Sequence, residues 1–357
     1  MAPSVISVRF VCGFVLGATS GVAALKLYLY EEQETDSDSS ARLIERFGLP
    51  QSGAETRFYV NHALSYDQTR RTPRWVAEHL SAQGLLGHAD RKHCRFRPDP
   101  GVPELFTARN EDYLRSGWSR GHMAPAGDNK SSERAMAETF YLSNIVNTGE
   151  QPAGGFLLRC SCADVSVRLE MYCRDLTQSF SHVWIVSGPL LLAGDAGGWR
   201  KEGVLSCYKL IGRTTGSSLI LQSQSCQNDS SPDSLALGAF VVPNAPIGFE
   251  RPLTEFQVSL SDLERMSGLT FFPAVERRER LKNLCDVDSC QLMDLERFTL
   301  YISGRKVASA RTLARLEKIM TELKDAGVTP DHYLSNLYLE KKRELEEKEE
   351  REKKPEP

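Results

Sequence analysis

The stretch "SRGHMAPAGDNK", residues 119–130, decides what kind of fold this chain adopts. One histidine, His122, stands between an arginine–glycine pair and a run of small residues, Ala124, Pro125, Ala126 and Gly127. A histidine in a packed core usually has bulky apolar neighbours. Here the neighbours are small enough to let something large come close, and Arg120 and Lys130 are cationic. That combination points to a phosphate. A neutral imidazole, with an unperturbed pKa of about 6.5, can take a proton from water at cellular pH. A phosphodiester is anionic and repels nucleophiles, so its hydrolysis also needs cations at the phosphate. Two residues before His122, Arg120 would share its face of a strand. A Mg²⁺ ion would polarise the phosphoryl group, and so hard a cation takes oxygen ligands from Asn, Asp, Glu or water. Read alone, His122 is equally a core or turn histidine.

Downstream, "RLEMYCRDL" (168–176) sets Glu170 and Arg174 four residues apart on one face of an expected helix. That spacing also suits an ordinary surface salt bridge. The net charge of −3 excludes a bulk polycation, so a polyanion would have to meet local basic patches. Two exist, "RRTPR" (70–74) and "RKHCRFR" (91–97), each equally readable as a solvated loop. With 357 residues, 41% of them hydrophobic, the chain is long enough for a large α/β or α+β core with appendages. Its nine cysteines are odd in number and irregular in spacing, which argues against a disulfide framework. Neither Cys160-x-Cys162 nor Cys285-x4-Cys290 has the pattern of a structural zinc site. The thiols are therefore expected reduced and mostly packed.

Residues 10–25, "FVCGFVLGATSGVAAL", carry no charge, and counted to Tyr30 they give a helix of about 31 Å, enough to span a bilayer. Gly13, Gly17 and Gly21 share one face on which a second helix can approach. A cleaved signal peptide or a presequence are the alternatives, and no clear A-x-A site precedes the acidic "EEQETDSD". The expected organisation is a membrane anchor and targeting segment at 1–30, a polar linker at 31–50, a main domain at 51–275, a helical extension at 276–340 and a charged tail at 341–357. Strands are expected at 56–67, 182–192, 217–223 and 235–244. Helices are expected at 73–83, at 133–146 running into a strand or loop, at 259–268 between a Ser N-cap and a closing Gly, and through most of the chain after 275.

Together "SRGHMAPAG", "RWVAEHL", "RKHCRFRPDP", "AMAETFYLSNIV", "LEMYCRDL", "VWIVSGPL", "LALGAFVVPN" and "LTEFQVSLSDLERMSGLTFFP" resemble the DNA/RNA non-specific endonucleases, the ββα-metal nucleases. Ser119 stands where many members have Asp. The resemblance covers roughly residues 55 to 340 and is strongest to the mitochondrial, endonuclease-G-like branch of animals. It implies an α+β fold: a ββα-metal core with a central antiparallel sheet flanked by helices, an N-terminal transmembrane helix and a C-terminal helical extension. It implies hydrolysis of DNA and RNA, endonucleolytic and 5′–3′ exonucleolytic, with one Mg²⁺ or Mn²⁺ ion. By the same resemblance His122 is the general base, and Arg120 and Arg174 contact phosphate. Glu170 holds water on the metal, and Arg91, Lys130 and Arg305 bind the nucleic acid. A homodimer is implied, held in the mitochondrial inner membrane through residues 10–30, with the nuclease domain facing the intermembrane space. An unrelated secreted α/β protein with a chance SRGH is the bland alternative, in which Asn129 and Asn228 would be glycosylated.

The pattern breaks at one place. The family's protein metal ligand is an asparagine eight residues before the glutamate, and eight before Glu170 stands Cys162; Ser166 takes the place of a tryptophan. From Asn147 to Val167 the chain reads "NTGEQPAGGFLLRCSCADVSV", a foreign interior between matched flanks. A soft sulfur replaces an amide oxygen poorly at a hard cation. Asn144 and Asn147 remain as candidates, reaching a metal only if the backbone rearranges. The expectation is strongly reduced cleavage. The alternative function is an impaired variant that binds nucleic acid or dimerises.

Overall fold

The computed structural model describes residues 41–50, 55–114, 116, 118–150, 163–190, 212–213, 235–244, 247–275 and 281–353. After a helical segment at 41–45 (α1) come strands β1 (Thr56–Phe58), β2 (His62–Asp67), β3 (Thr72–Leu80) and β4 (Trp118–His122). Helix α2 (Glu133–Glu138), strand β5 (Ile145–Glu150), helix α3 (Ala163–Ser179) and strand β6 (Val183–Ser187) follow. Beyond them lie the short strands β7 (Gly212–Arg213), β8 (Ala236–Leu237), β9 (Ala239–Phe240) and β10 (Gln257–Val258), and helix α4 (Leu260–Ser267). Strand β11 (Lys282–Asn283) and helices α5 (Leu284–Val287), α6 (Leu295–Ala308), α7 (Leu313–Asp325) and α8 (His332–Lys353) complete the chain.

The scaffold is an antiparallel five-stranded sheet in the order β1-β2-β3-β6-β7. Successive strand residues face opposite sides, and both sides are covered. Leu64, Val76, Val183 and Ile185 pack beneath Val165, Leu169, Cys173 and Leu176 of α3. On the other side Ala63, Trp75, Ala77, Trp184 and Val186 meet Ile44, Phe47, Leu263 and Phe271. A separate two-stranded unit, β4 against β5, leads into α3 and forms the ββα element. The C-terminal helices have their own small core of Val307, Leu316, Ile319, Leu323, Leu334 and Leu345.

Four expectations are corrected. Residues 73–83 are not helical: Trp75 and Ala77 face one layer and Val76 and Leu80 the other, so the stretch is the strand β3, buried on both sides. The polar linker ends before residue 50, because Ile44 and Phe47 are 4% and 7% exposed in the core. The thiols are not all reduced: Cys285 and Cys290, with Cα atoms 5.2 Å apart, form a disulfide, while Cys94 and Cys173 are free. The fourth concerns the fold class, α+β with an N-terminal transmembrane helix, and with it the membrane as a partner. Among the described residues no helix is long and apolar enough to cross a membrane. Of those helices α8 has the length, 22 residues, but from Glu340 to Lys353 every residue except Leu345 is charged. Residues 10–30 lie outside the described residues, as do the strand expected at 217–223 and Cys162. The α+β core with its helical extension stands without that helix.

The helix signals at 259–268 act as capping chemistry requires. The Ser259 hydroxyl accepts the Asp262 N–H, and Gly268 closes α4 at φ 68°.

Candidate active site

His122 is the last residue of β4 and lies opposite Ile145, while Arg120 lies opposite Asn147. Cross-strand partners share a face, so these four side chains lie on one side of the hairpin, and Val146 on the other side enters the main core. The His122 ring is held edge-on to Phe140, with centroids 4.7 Å apart, and tilted against Phe96 at 5.2 Å. Its Nε2 is buried and has no hydrogen-bond partner. Burial first, and then the charges of Arg91, Arg305 and Arg120 and the neighbouring His62, push the imidazole down to about 3. A neutral imidazole with an unpartnered acceptor is the protonation state from which a general base acts.

The loop after His122 is fixed by a buried amide. Asn144 Oδ1 accepts the Ala124 N–H at 2.9 Å, and its Nδ2 donates to the carbonyls of Ala124 at 3.0 Å and Thr139 at 2.8 Å. Asn144 is 0% exposed, so its amide is a clamp for the catalytic loop. The small residues serve packing: Ala124 and Ala126 are buried, and the space at Gly127 belongs to Arg174. A Cβ at Gly127 would stand 2.6 Å from Arg174 Nη2. The room read from sequence as a berth for a sugar-phosphate backbone is thus filled by the protein itself. Asn129, 1% exposed, donates to the Pro125 carbonyl at 2.9 Å, a place no glycan reaches.

Glu170 and Arg174 project from α3 and pair at 3.4 Å. Arg174 also binds the buried Asp128 and donates to Met171 Sδ at 3.1 Å. Against the desolvation of its burial, Asp128 and then Glu170 hold its guanidinium above the usual range. Arg91 sits over the Phe140 ring at 5.7 Å. Desolvation lowers its pKa first and Arg305 second, while Glu170 opposes them. Arg120 lies 4.2 Å over the Phe96 ring and donates to Asn110 Oδ1 at 2.5 Å. Arg305 comes from α6 with Tyr301 beneath it at 5.9 Å, so the C-terminal extension reaches the cluster. The structure therefore brings together His122, Arg120, Arg91, Glu170, Arg174 and Arg305. Lys130 is exposed, and its backbone carbonyl accepts the Ala89 N–H at 3.3 Å; no contact joins its side chain to the others.

Sequence reasoning missed Phe96 and Phe140, which grip the imidazole, and Asp128, which anchors Arg174. Phe96 lay in view within "RKHCRFR", where the charges drew the eye. Nothing in the sequence separates Asp128 from a surface turn.

A hard cation fits this cluster poorly. Glu170 supplies one carboxylate, already engaged by Arg174. The Asn144 amide is spent on Ala124 and Thr139. Asn147 Oδ1 is buried and partnerless, but Asn147 lines a different cleft beside Arg71 and Tyr113. Among the described residues no group of three His, Cys, Asp or Glu side chains is placed to hold a metal. The described residues do not complete a metal site.

A ββα unit that presents a neutral histidine among arginines, packed on an antiparallel sheet, defines a phosphodiester-cleaving class. The chain belongs to the DNA/RNA non-specific endonucleases: the family model matches residues 40–278. A second model, the endo/exonuclease (EXOG) C-terminal domain, matches residues 293–342. Over 343 residues the chain is 61% identical to "Nuclease EXOG, mitochondrial" of Danio rerio, covering 95% of this chain and 96% of that one. It is 49% identical over 356 residues to the Homo sapiens protein of the same name, covering 96% and 94%. A chain in the crystal structure of the EndoG/EndoGI complex superposes with a TM-score of 0.54 at 32% identity, covering 68% of this chain and 94% of that chain. The protein is a nucleic-acid-hydrolysing enzyme of this family.

Proposed function

We propose that the chain hydrolyses DNA and RNA in mitochondria, cutting both internally and from 5′ ends, with His122 as the general base. The observation that carries this reading is the His122 imidazole, kept neutral by burial and three arginines and left with an unfilled acceptor. The ring takes a proton from the attacking water as its oxygen bonds to phosphorus and the bond to the leaving oxygen breaks. Arg120, Arg91 and Arg174 neutralise the charge that builds on the phosphoryl oxygens. Asn144 and the two phenylalanines hold the base in place. Arg305, brought from α6, meets the terminal phosphate of a strand whose further passage the helical extension limits, which favours release of short pieces. Lys130 touches the backbone farther out. Two copies of the chain pair as a homodimer. The family is metal-dependent, and turnover is expected with one Mg²⁺ or Mn²⁺ ion.

A second reading is favoured by the donor set: with the Asn144 amide spent and no metal-holding cluster among the described residues, the chain binds nucleic acid and cleaves it slowly. One experiment separates the two. The purified chain is incubated with labelled single- and double-stranded DNA and with RNA, in Mg²⁺, Mn²⁺ or EDTA, beside His122→Ala. Cleavage that needs both the metal and His122 establishes the first reading. Retained binding with only slow or no cleavage in any metal establishes the second.

A further inference from the structure

We propose that the cleft between the β2–β3 turn and β5 is a strand-binding subsite, taking one nucleotide of a single-stranded nucleic acid beside the scissile phosphate. The inference rests on the nuclease reading and extends it to a basic patch, "RRTPR" at 70–74, that the active site leaves unused. The cleft has a volume of about 230 Å³ and is lined by Arg70, Arg71, Thr72, Tyr113 and Asn147 among others. That is space for one nucleotide moiety and too little for a duplex.

Its polar groups match a nucleotide. Asn147 Oδ1 is buried without a hydrogen-bond partner, an acceptor that a base amino or imino N–H would satisfy. Arg71 is 45% exposed and offers a cation to phosphate. It faces Asp112 at 3.7 Å and donates to the Leu105 carbonyl at 3.4 Å, contacts that hold the guanidinium at the cleft without burying it. The Asp112 carboxylate accepts the Arg109 N–H at 2.9 Å, which fixes it beside Arg71, where it offsets part of the cation's charge. Tyr113 donates to the Ile145 carbonyl at 3.4 Å and forms one wall.

The cleft adjoins the active site through the β4–β5 hairpin. Arg120 lies across the hairpin from Asn147 and donates to Asn110, in the same turn as Asp112, which faces Arg71. A strand held at His122 by one phosphate therefore has a cationic path over Arg120 to Arg71. Phosphate contacts of this kind position a strand without reading its sequence. The buried amide oxygen adds a contact that most bases can satisfy.

The test is binding by the whole chain in EDTA, on the His122→Ala background so that no cleavage intrudes. The probe is a fluorescein-labelled single-stranded DNA of about 12 nucleotides, within the usual site sizes. Arg71 has φ 54°, a left-handed conformation that glycine adopts freely, so Arg71→Gly removes the cation without backbone strain. Asn147→Leu removes the acceptor. Each is expected to raise Kd about three- to tenfold. Arg71→Gly alone should also shallow the salt dependence of log Kd by about 0.7, the contribution of one single-strand phosphate contact. Should Asn147→Leu fold badly, Arg71→Gly on its exposed turn decides the matter alone. Unchanged Kd and salt slope would overturn the subsite while leaving the nuclease reading intact. Arg71-dependent binding in a chain whose parent never cleaves would overturn that reading and keep the subsite. No strand binding at all overturns both.

Discussion

At the residue scale the decisive choice is what surrounds His122. An exposed imidazole titrates near neutrality; this one, gripped by Phe96 and Phe140 and ringed by arginines, is held neutral down to about pH 3. The dependence of kcat/KM on pH reports the ionisation of the free enzyme. Its acid limb should therefore show no break at about 6.5, the ordinary histidine value; such a break would show that the base is solvated. Replacing the ring, His122→Ala, should lower kcat by about 10²–10⁴-fold, the usual share of a general base, with substrate affinity little changed. The clamp beneath it behaves differently. Asn144→Ala leaves the Ala124 N–H and carbonyl and the Thr139 carbonyl without their partner. Each buried polar group so orphaned costs about 1–3 kcal/mol, so this variant should lose stability before it loses the base. Urea denaturation beside a kcat measurement distinguishes the two effects: a stable but inactive Asn144→Ala would contradict the clamp.

At the element scale, legibility followed the strength of the local signal. The cap at Ser259 and the stop at Gly268 could be read because a hydroxyl acceptor and a positive φ leave residue-specific marks. β3 could not, since a strand buried on both faces loses its alternation; with Trp75, Val76 and Ala77 all covered, "PRWVAEHL" mimics a helical stripe. The i,i+4 spacing of Glu170 and Arg174 was legible, but the third partner, Asp128, comes from a turn 46 residues away and no local pattern marks it. Two glycines sharpen the point. At Gly127 an added Cβ meets the far end of Arg174, a flexible side chain. Gly127→Ala should therefore fold normally yet displace Arg174 and raise KM several-fold. At Gly87, with φ 154°, the added Cβ would stand 1.9 Å from the Lys130 carbonyl oxygen, which is backbone. Gly87→Ala should lower Tm by several degrees. Equal behaviour of the two alanines in thermal melts and kinetics would refute this division.

At the scale of the whole molecule, buried imidazoles set the response to acid. Besides His122, burial pushes His62 down to about 3 and His79 down to about 4. His62 is 0% exposed, stacked on Tyr59 at 4.5 Å, and neither ring nitrogen has a partner. His79 Nε2 lies 2.9 Å from His182 Nδ1, a contact that needs one unprotonated acceptor. In the unfolded chain all of these titrate at about 6.5. Between that value and the folded ones the unfolded state binds protons that the folded state refuses, so stability rises with pH across this window and falls as pH drops through it. Each fully buried histidine adds a slope of up to about 1.4 kcal/mol per pH unit. The lowered carboxyls of Asp67 and Asp90 extend the loss below their ordinary value of 3.8. Unfolding free energy from urea melts should therefore decline steadily from about pH 6.5 to 4.5, where an ordinary surface histidine would contribute nothing. His62→Phe keeps a ring against Tyr59 but cannot take a proton, and it should remove about one proton's worth of that slope. An unaltered slope in His62→Phe would mean that His62 is protonated in the folded chain, and the acid response would then have to arise at His79 and His122.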